Sequence, residues 1–325
     1  MSNDFLLGID LGGTKIYAVV ADRDGKVLSS AKSKTDVEAD PTKLGTMIKE
    51  TGTEALEALK LDLGKISGIG VAVPSSVDPQ SGDCLHAPNL GLKNFSLKEI
   101  LRKLFGRELY LGNDANCGTL AEYMFGAAKG YPSVLAYFLG TGLGGGIIVD
   151  GKLLLGNGGL AGELGHSLIK YKGRRCACGN RGCVEAYCSK IAFVKAIKKE
   201  VFKKSRNCSL TKDKLEWSTT NIRSKALAQA YKSGDRVVRK VLDKGMFMLG
   251  AAAASASTVI APHCIVLGGG VIESMGTELM PPFKASFEKH LFGLDPSRIE
   301  LRLSALGDNA VALGACILAD KKAKV

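Results

Sequence analysis

Residues 162–185 read GELGHSLIKYKGRRCACGNRGCVE, and the interpretation of the 325-residue chain starts from this stretch. His166, Cys176, Cys178 and Cys183 supply one imidazole and three thiols within 18 residues, and Gly173, Gly179 and Gly182 let the backbone turn tightly about a centre. Soft thiolates with one imidazole form the tetrahedral donor set of zinc, and four protein ligands leave no position open for chemistry, so the expected metal is structural. The competing explanation is a group of reduced cysteines packed in a core, because free cysteine is among the most buried residue types. The close Cys-x-Cys-x4-Cys spacing favours the metal.

The same stretch resembles the ROK family of sugar kinases and sugar-responsive repressors, in which Glu-x-x-His stands just before Cys-x-Cys-Gly-x-x-Gly-Cys-x-Glu. Here those residues are Glu163, His166, Cys176, Cys178, Gly179, Gly182, Cys183 and Glu185. The resemblance implies that Glu163, His166 and Glu185 face sugar hydroxyls, with His166 also a zinc ligand. Carboxylates accept charge-assisted hydrogen bonds from hydroxyls, and a metal that fixes the backbone would hold the three contacts in register. Without the motif, Glu163 and Glu185 would read as surface charges.

Elsewhere the chain repeats one grammar. An apolar strand over 5–10 leads into Asp10-Leu-Gly-Gly-Thr-Lys15, followed by a strand over 15–21, a hairpin at Asp24-Gly25 and a third strand over 26–33. Later, a strand over 134–139 leads into a glycine turn over 140–146, a strand through Val149, a hairpin at Asp150-Gly151 and a strand over 152–155. This weak internal repeat points to a duplicated α/β architecture with a cleft between its halves. It resembles the actin-like ATPase (ribonuclease H-like) fold. A Gly-Gly turn alone is usually a hairpin, but two such turns at strand ends are better explained as facing phosphate loops whose backbone N–H groups meet an anion. Asp10 would bind Mg2+ or its water shell, and Gly12, Gly13, Thr14 and Lys15 would meet the transferred phosphoryl group of ATP. Gly140, Thr141 and Gly142 would form the second loop. The lysine pattern of a P-loop is missing. Gly268, Gly269 and Gly270 follow a short apolar strand over 264–267, and the resemblance puts them beside the adenosine.

A strand over 108–112 delivers Asn113 and Asp114 to its carboxyl end, the edge at which α/β folds bind ligands. Asp114 is the candidate general base, because a carboxylate can orient a sugar hydroxyl and accept its proton during phosphoryl transfer. Asn113 would hold a neighbouring hydroxyl. Both residue types also start helices, and capping a helix over 115–126 is compatible with that chemistry. Pro79, Gly82, Pro88 and Gly91 mark a loop in which Asn89 is a further sugar contact. A helix is expected over 186–204, a strand over 298–306 and a last helix from Asn309. The resemblance spans nearly the whole chain, with Gly307-Asp308-Asn309-Ala310 in family order; only residues 205–220 lack a family counterpart.

Two domains are expected, residues 1–117 with 309–325 and residues 118–308. The formal net charge of +12 is spread over the surface, which argues against nucleic acid and suits an anionic nucleotide. The most apolar run, 246–261, is interrupted by Gly250 and serines and reads as a buried helix, not a membrane span. The chain shows no secretory leader, and nine cysteines suit a reducing compartment, so a cytoplasmic protein is expected. The family repressors carry a helix-turn-helix domain ahead of the first phosphate turn, whereas nine residues precede Asp10 here. That favours an ATP-dependent hexose kinase acting on the 6-hydroxyl of glucose, with Zn2+ structural, Mg2+ carried with ATP and a homodimer implied by the resemblance. Fructose, N-acetylmannosamine or allose as substrate, polyphosphate as donor, and a sugar-responsive regulator are the alternatives.

Overall fold

The computed structural model describes residues 5–36, 40–78, 81–82, 84–87, 92–203, 205–210, 222–320 and 322. Two compact units divide the chain: residues 1–130, 146–162 and 308–325 form the first, and residues 131–145 and 163–307 the second.

In the first unit, β1 (Phe5–Leu11), β2 (Lys15–Ala21) and β3 (Val27–Lys34) pair antiparallel, while β4 (Ile66–Val73) runs parallel to β1 and to β8 (Tyr110–Asn113). The order is β3-β2-β1-β4-β8. Strand alternation decides what each face buries. Leu7, Ile9 and Leu11 of β1 join Leu44 and Ile48 of α1 (Pro41–Glu57) and Leu97 and Leu101 of α2 (Leu97–Phe105) in one core cluster. Asp40 starts α1 by accepting from Thr42 N (2.8 Å) and Lys43 N (3.0 Å), with Pro41 at the first helical position.

On the opposite face, Ala72 of β4 packs with Cys117 of α3 (Asp114–Met124) and Ala315 of the terminal helix (Ala310–Ala319). The approach is so close that a Cβ on Gly8 would strike the carbonyl of Ala312, and one on Gly70 the carbonyl of Ala315. The terminal helix also lies against α3, with Gly314 against the carbonyl of Cys117. A boundary at residue 117 would cut α3, and this packing is what carries the first unit on to Gly130.

Residues 76–95 differ from the expected loop. β5 (Ser76–Val77), β6 (Cys84–Ala87) and β7 (Leu92–Phe95) form a small antiparallel sheet. These strands have two to four residues, too short for a period of two to emerge between the proline and glycine signals. Asn89 lies outside the described residues.

The other five-stranded sheet has the order β11 (Lys152–Leu153), β10 (Leu143–Val149), β9 (Val134–Leu139), β12 (Cys264–Gly268) and β13 (Glu300–Leu303). β9, β12 and β13 are parallel, and β10 pairs antiparallel with β11. By position this is the strand order of the first sheet again, as the internal repeat predicts. Only residues 140–142 turn; Gly144, Gly145 and Gly146 belong to β10, where Gly146 leaves room for Thr119. The strand expected over 298–306 shortens to β13, because Pro296–Arg298 form a 3-10 turn.

The helix expected over 186–204 begins later. Val184–Ala186 close a 3-10 turn beside the cysteines, and Ser189 then caps α4 (Lys190–Lys198) through Ala192 N (3.1 Å), with a π turn over Lys199–Lys203. α5 (Ser224–Lys232), α6 (Arg236–Ile260) and α7 (Gly270–His290) follow, and Ala310–Ala319 is α8. The apolar run over 246–261 falls in α6, where Met246, Leu249 and Ala253 are fully buried. Among the described residues no helix is long and apolar enough to cross a membrane.

Candidate active site

β1 and β8 both run parallel to β4, so their carboxyl ends share one edge of the first sheet. β1 brings Asp10 there, and β8 brings Asn113 and Asp114. Burial pushes the Asp10 carboxyl up to about 7; the Asp114 charge adds to this, Lys15 opposes it, and Asp308 contributes further in the upward direction. A buried carboxylate facing others of its sign is relieved by a bound cation, and oxygen donors are the set a hard ion such as Mg2+ prefers.

Next to Asp10 the first glycine turn is closed by Gly12 N donating to Lys15 O (2.9 Å) and by Thr35 Oγ1 donating to Gly12 O (2.7 Å). Thr14 is exposed at its tip. The Lys15 ammonium pairs with Asp308 Oδ1 (3.2 Å) and lies over the Tyr17 ring, 5.5 Å from its centroid. Lys32 Nζ approaches the other Asp308 oxygen (3.5 Å), and Tyr17 OH donates to Asn309 Oδ1 (2.6 Å). Burial works against ionisation of Asp308, but the Lys15 hydrogen bond and the Lys15 and Lys32 charges together hold its carboxyl below the usual range. From sequence, Asp308 stands only within the Gly307-Asp308-Asn309-Ala310 run in family order, because its partners Lys15 and Lys32 lie far from it along the chain.

Asn113 is the N-cap of α3: its Oδ1 accepts from Asn116 N (3.0 Å) and its Nδ2 donates to Ser75 O (3.3 Å). Asp114 is the first residue of the helix, and its Oδ1 accepts from Ala115 N (2.8 Å). Asn113 is therefore held rigidly, and the carboxylate beside it is placed at a positive helix end.

In the second unit the four expected ligands meet. One ligand atom each from His166, Cys176, Cys178 and Cys183 lies within 4.8 Å of every other. Cys178 and Cys183 sulfurs are 3.7 Å apart, and His166 Nδ1 is 3.7 Å from Cys176 Sγ. A zinc tetrahedron with Zn–S of about 2.3 Å and Zn–N of about 2.05 Å has edges of roughly 3.8 and 3.6 Å, so these residues fit the ion. The same separation is far too long for a disulfide of about 2.05 Å. A core cysteine cluster fits less well, since Cys178 is exposed. With Nδ1 turned to the sulfurs, His166 Nε2 faces outward, 4.0 Å from Glu163 Oε2; both side chains are part-exposed and open to a ligand.

Glu185 points elsewhere. Its Oε2 accepts from Leu143 N (3.0 Å), just after the second glycine turn, and its Oε1 is 3.4 Å from Cys176 Sγ. Within that turn Gly140 N donates to Gly142 O (3.0 Å), and Thr141 is exposed. At the end of β12, Gly269 adopts φ +87°, and a Cβ there would strike the backbone of Leu139, so any other residue would be strained. α7 starts at Gly270. Its first turn and α5 line a groove of about 740 Å3 between Lys225, Ala228 and Gln229 on one side and Glu273 and Ser274 on the other. No motif announces this groove, because its walls come from helices about 40 residues apart in sequence.

The ROK family model matches residues 6–322. A glucokinase from Thermotoga maritima is 32% identical over 311 residues, 95% of this chain and 95% of its own length. A xylose repressor from Caldicellulosiruptor bescii is 29% identical, with 96% of this chain aligned to 77% of the repressor. Among solved structures, a ROK family glucokinase from Streptomyces griseus in complex with glucose and AMPPNP superposes with a TM-score of 0.82 at 31% identity, covering 97% of this chain and 99% of that one. With the two-sheet α/β fold and the family's motifs in place along nearly its full length, the chain belongs to the ROK family.

Proposed function

We propose that this protein transfers the γ-phosphoryl group of Mg-ATP to the 6-hydroxyl of glucose. Family membership and the glucokinase relatives make it a sugar kinase. The observation that carries the further reading is the shared sheet edge at which Asp10 and Asp114 stand next to a glycine turn. Asp114 accepts the proton of the sugar hydroxyl as its oxygen attacks the γ-phosphorus and the bond to ADP breaks. Asn113 holds a neighbouring hydroxyl, and its cap and its bond to Ser75 fix it for that task. With Gly12 N closing the turn on Lys15 O, the N–H groups of Gly13 and Thr14 and the Lys15 ammonium, which Asp308 orients, take the phosphoryl oxygens. Asp10 would hold Mg2+, directly or through water, and the ion would neutralise charge on the phosphates.

In the second unit, Glu163, His166 and Glu185 address sugar hydroxyls, and Asn89 adds a contact. The turn Gly140–Gly142 binds phosphate through Thr141 and Gly142, with Gly140 closing it, and the groove between α5 and α7 beside Gly268, Gly269 and Gly270 takes the adenosine. Zinc in the Cys3His site is structural. The two sheets of matching strand order are read as the duplicated actin-like fold, and the protein as a cytoplasmic homodimer.

A coupled ATP-consumption assay over a hexose panel tests this reading, with polyphosphate as an alternative donor. Glucose is expected to give the highest kcat/KM. If fructose, N-acetylmannosamine or allose exceeded it by ~10-fold or more, the glucose assignment would fall and the kinase reading would survive. The repressor relatives motivate the competing reading: a chain that retards operator-like DNA at physiological salt and consumes no ATP with any hexose is a regulator.

A further inference from the structure

Glu185 closes the motif that the family uses for sugar, yet its carboxylate is committed to the nucleotide side of the second unit. Oε2 accepts from Leu143 N at 3.0 Å. The segment that follows Glu185 grips the same turn from behind: Lys190 N donates to Gly140 O (3.0 Å) and Ile191 N to Thr141 O (3.4 Å). A Cβ at Gly142 would strike Glu185 Oε2, so the glycine there is what lets the carboxylate close on the turn. Three successive residues of the turn, together with Leu143, are thus set by residues 185–191.

Glu185 is itself set by the metal knot. Cys183, a ligand one residue before the turn Val184–Ala186, bridges to Leu168, and Val184 N donates to Ser167 O (3.0 Å). These contacts leave the carboxylate half-buried, with one oxygen on Leu143 and the other facing Cys176. With Leu143 N occupied by Glu185 and Gly140 N by Gly142 O, the turn's outward donors are reduced to the Thr141 and Gly142 N–H groups and the Thr141 hydroxyl. An anion at this turn meets three donors whose direction depends on one carboxylate.

We propose that Glu185 is a positioning residue for the second phosphate turn, so that it tunes nucleotide affinity even when no sugar is present. The inference rests on the reading of Gly140–Gly142 as a phosphate loop and extends it. A residue that only bound sugar would leave nucleotide affinity untouched.

The test is titration of the sugar-free, metal-loaded protein with AMPPNP and Mg2+, comparing the wild type with Glu185→Ala, Glu185→Gln and Glu163→Gln. Thermal melts check that each variant is folded. Glu185→Ala is expected to weaken AMPPNP by ~10-fold, the size of effect that follows loss of one charged hydrogen-bond acceptor. Glu185→Gln keeps an oxygen that accepts from Leu143 N, so it should stay within about threefold of the wild type for AMPPNP while its KM for sugar rises. Glu163→Gln, which has no contact with the turn, should shift sugar and leave AMPPNP within about twofold. Equal AMPPNP affinity in Glu185→Ala and the wild type overturns the proposal, and so does a Gln variant as weak as Ala. Should Glu185→Ala fail to fold, Glu185→Asp replaces it: its carboxylate is one methylene shorter and falls short of Leu143 N, so the same ~10-fold loss is expected and wild-type AMPPNP affinity overturns the proposal. A wild type that does not bind AMPPNP at all overturns the phosphate-loop reading itself, a result distinct from those two.

Discussion

At Asn113 and Asp114, adjacent side chains at one helix start divide two tasks. The cap is Asn113, through Asn116 N, so the helix does not depend on Asp114 for its first turn. Replacing Asp114 by Asn keeps the size and an oxygen for Ala115 N but removes the ability to accept a proton. The expected result is a fall in kcat of at least ~10^2 with much weaker effects on sugar binding and on the melting temperature. A rate within a few-fold of the wild type would leave Asp114 as a positioning residue only. The position of the pair, at a strand's carboxyl end and a helix start, was legible in the sequence because an apolar strand stops there and both residue types favour helix starts. Asp308 was not, since its meaning comes from Lys15 and Lys32, which reach it from strands nearly 300 residues earlier.

Among the elements, the knot over 163–185 has almost no regular structure to hold it: two single bridges, Leu168 to Cys183 and Arg175 to Arg181, and short 3-10 turns. Its exposed tip carries Leu168 and Tyr171, which are 62% and 77% accessible, so apolar burial does little to hold the tip. Burial of apolar side chains within the knot is confined to Cys176, Cys183 and Val184, and a metal held by the four ligands would add the stability the tip lacks. Purified protein is therefore expected to hold about one zinc per chain, and Cys178→Ser to lose it together with sugar affinity and several degrees of melting temperature. Metal analysis that finds a zinc-free chain with full activity would remove the structural zinc. The spacing of its ligands made this element legible without a fold. The sheet of β5, β6 and β7 was illegible for the opposite reason: its strands have no period of their own and form only by pairing with one another.

Over the whole molecule, the repeated β-hairpin grammar was enough to anticipate two sheets of one strand order, because glycine turns and Asp-Gly hairpins recur at matching places. The repeat alone does not show how the first unit is closed; the family resemblance is what groups residues 309–325 with it. α8 is apolar nearly throughout and lies against β1 and β4 where Gly8 and Gly70 leave no side chain in its way. This has a consequence for how the protein is made. As the chain leaves the ribosome, β1, β2, β3 and β4 emerge early, but the helix that covers them is translated only after the whole of the second unit. Until then a glycine-lined apolar face stands open, a natural substrate for holding chaperones. A chain ending at Asn309 should reproduce that state: amides of β1 and β4 that exchange slowly in the full chain should exchange at least ~10-fold faster, and a peptide of residues 310–320 should slow them again. Equal protection in both chains would contradict this. Otherwise the first strands to be synthesised belong to the unit that is completed last, after residues 163–307 have been made.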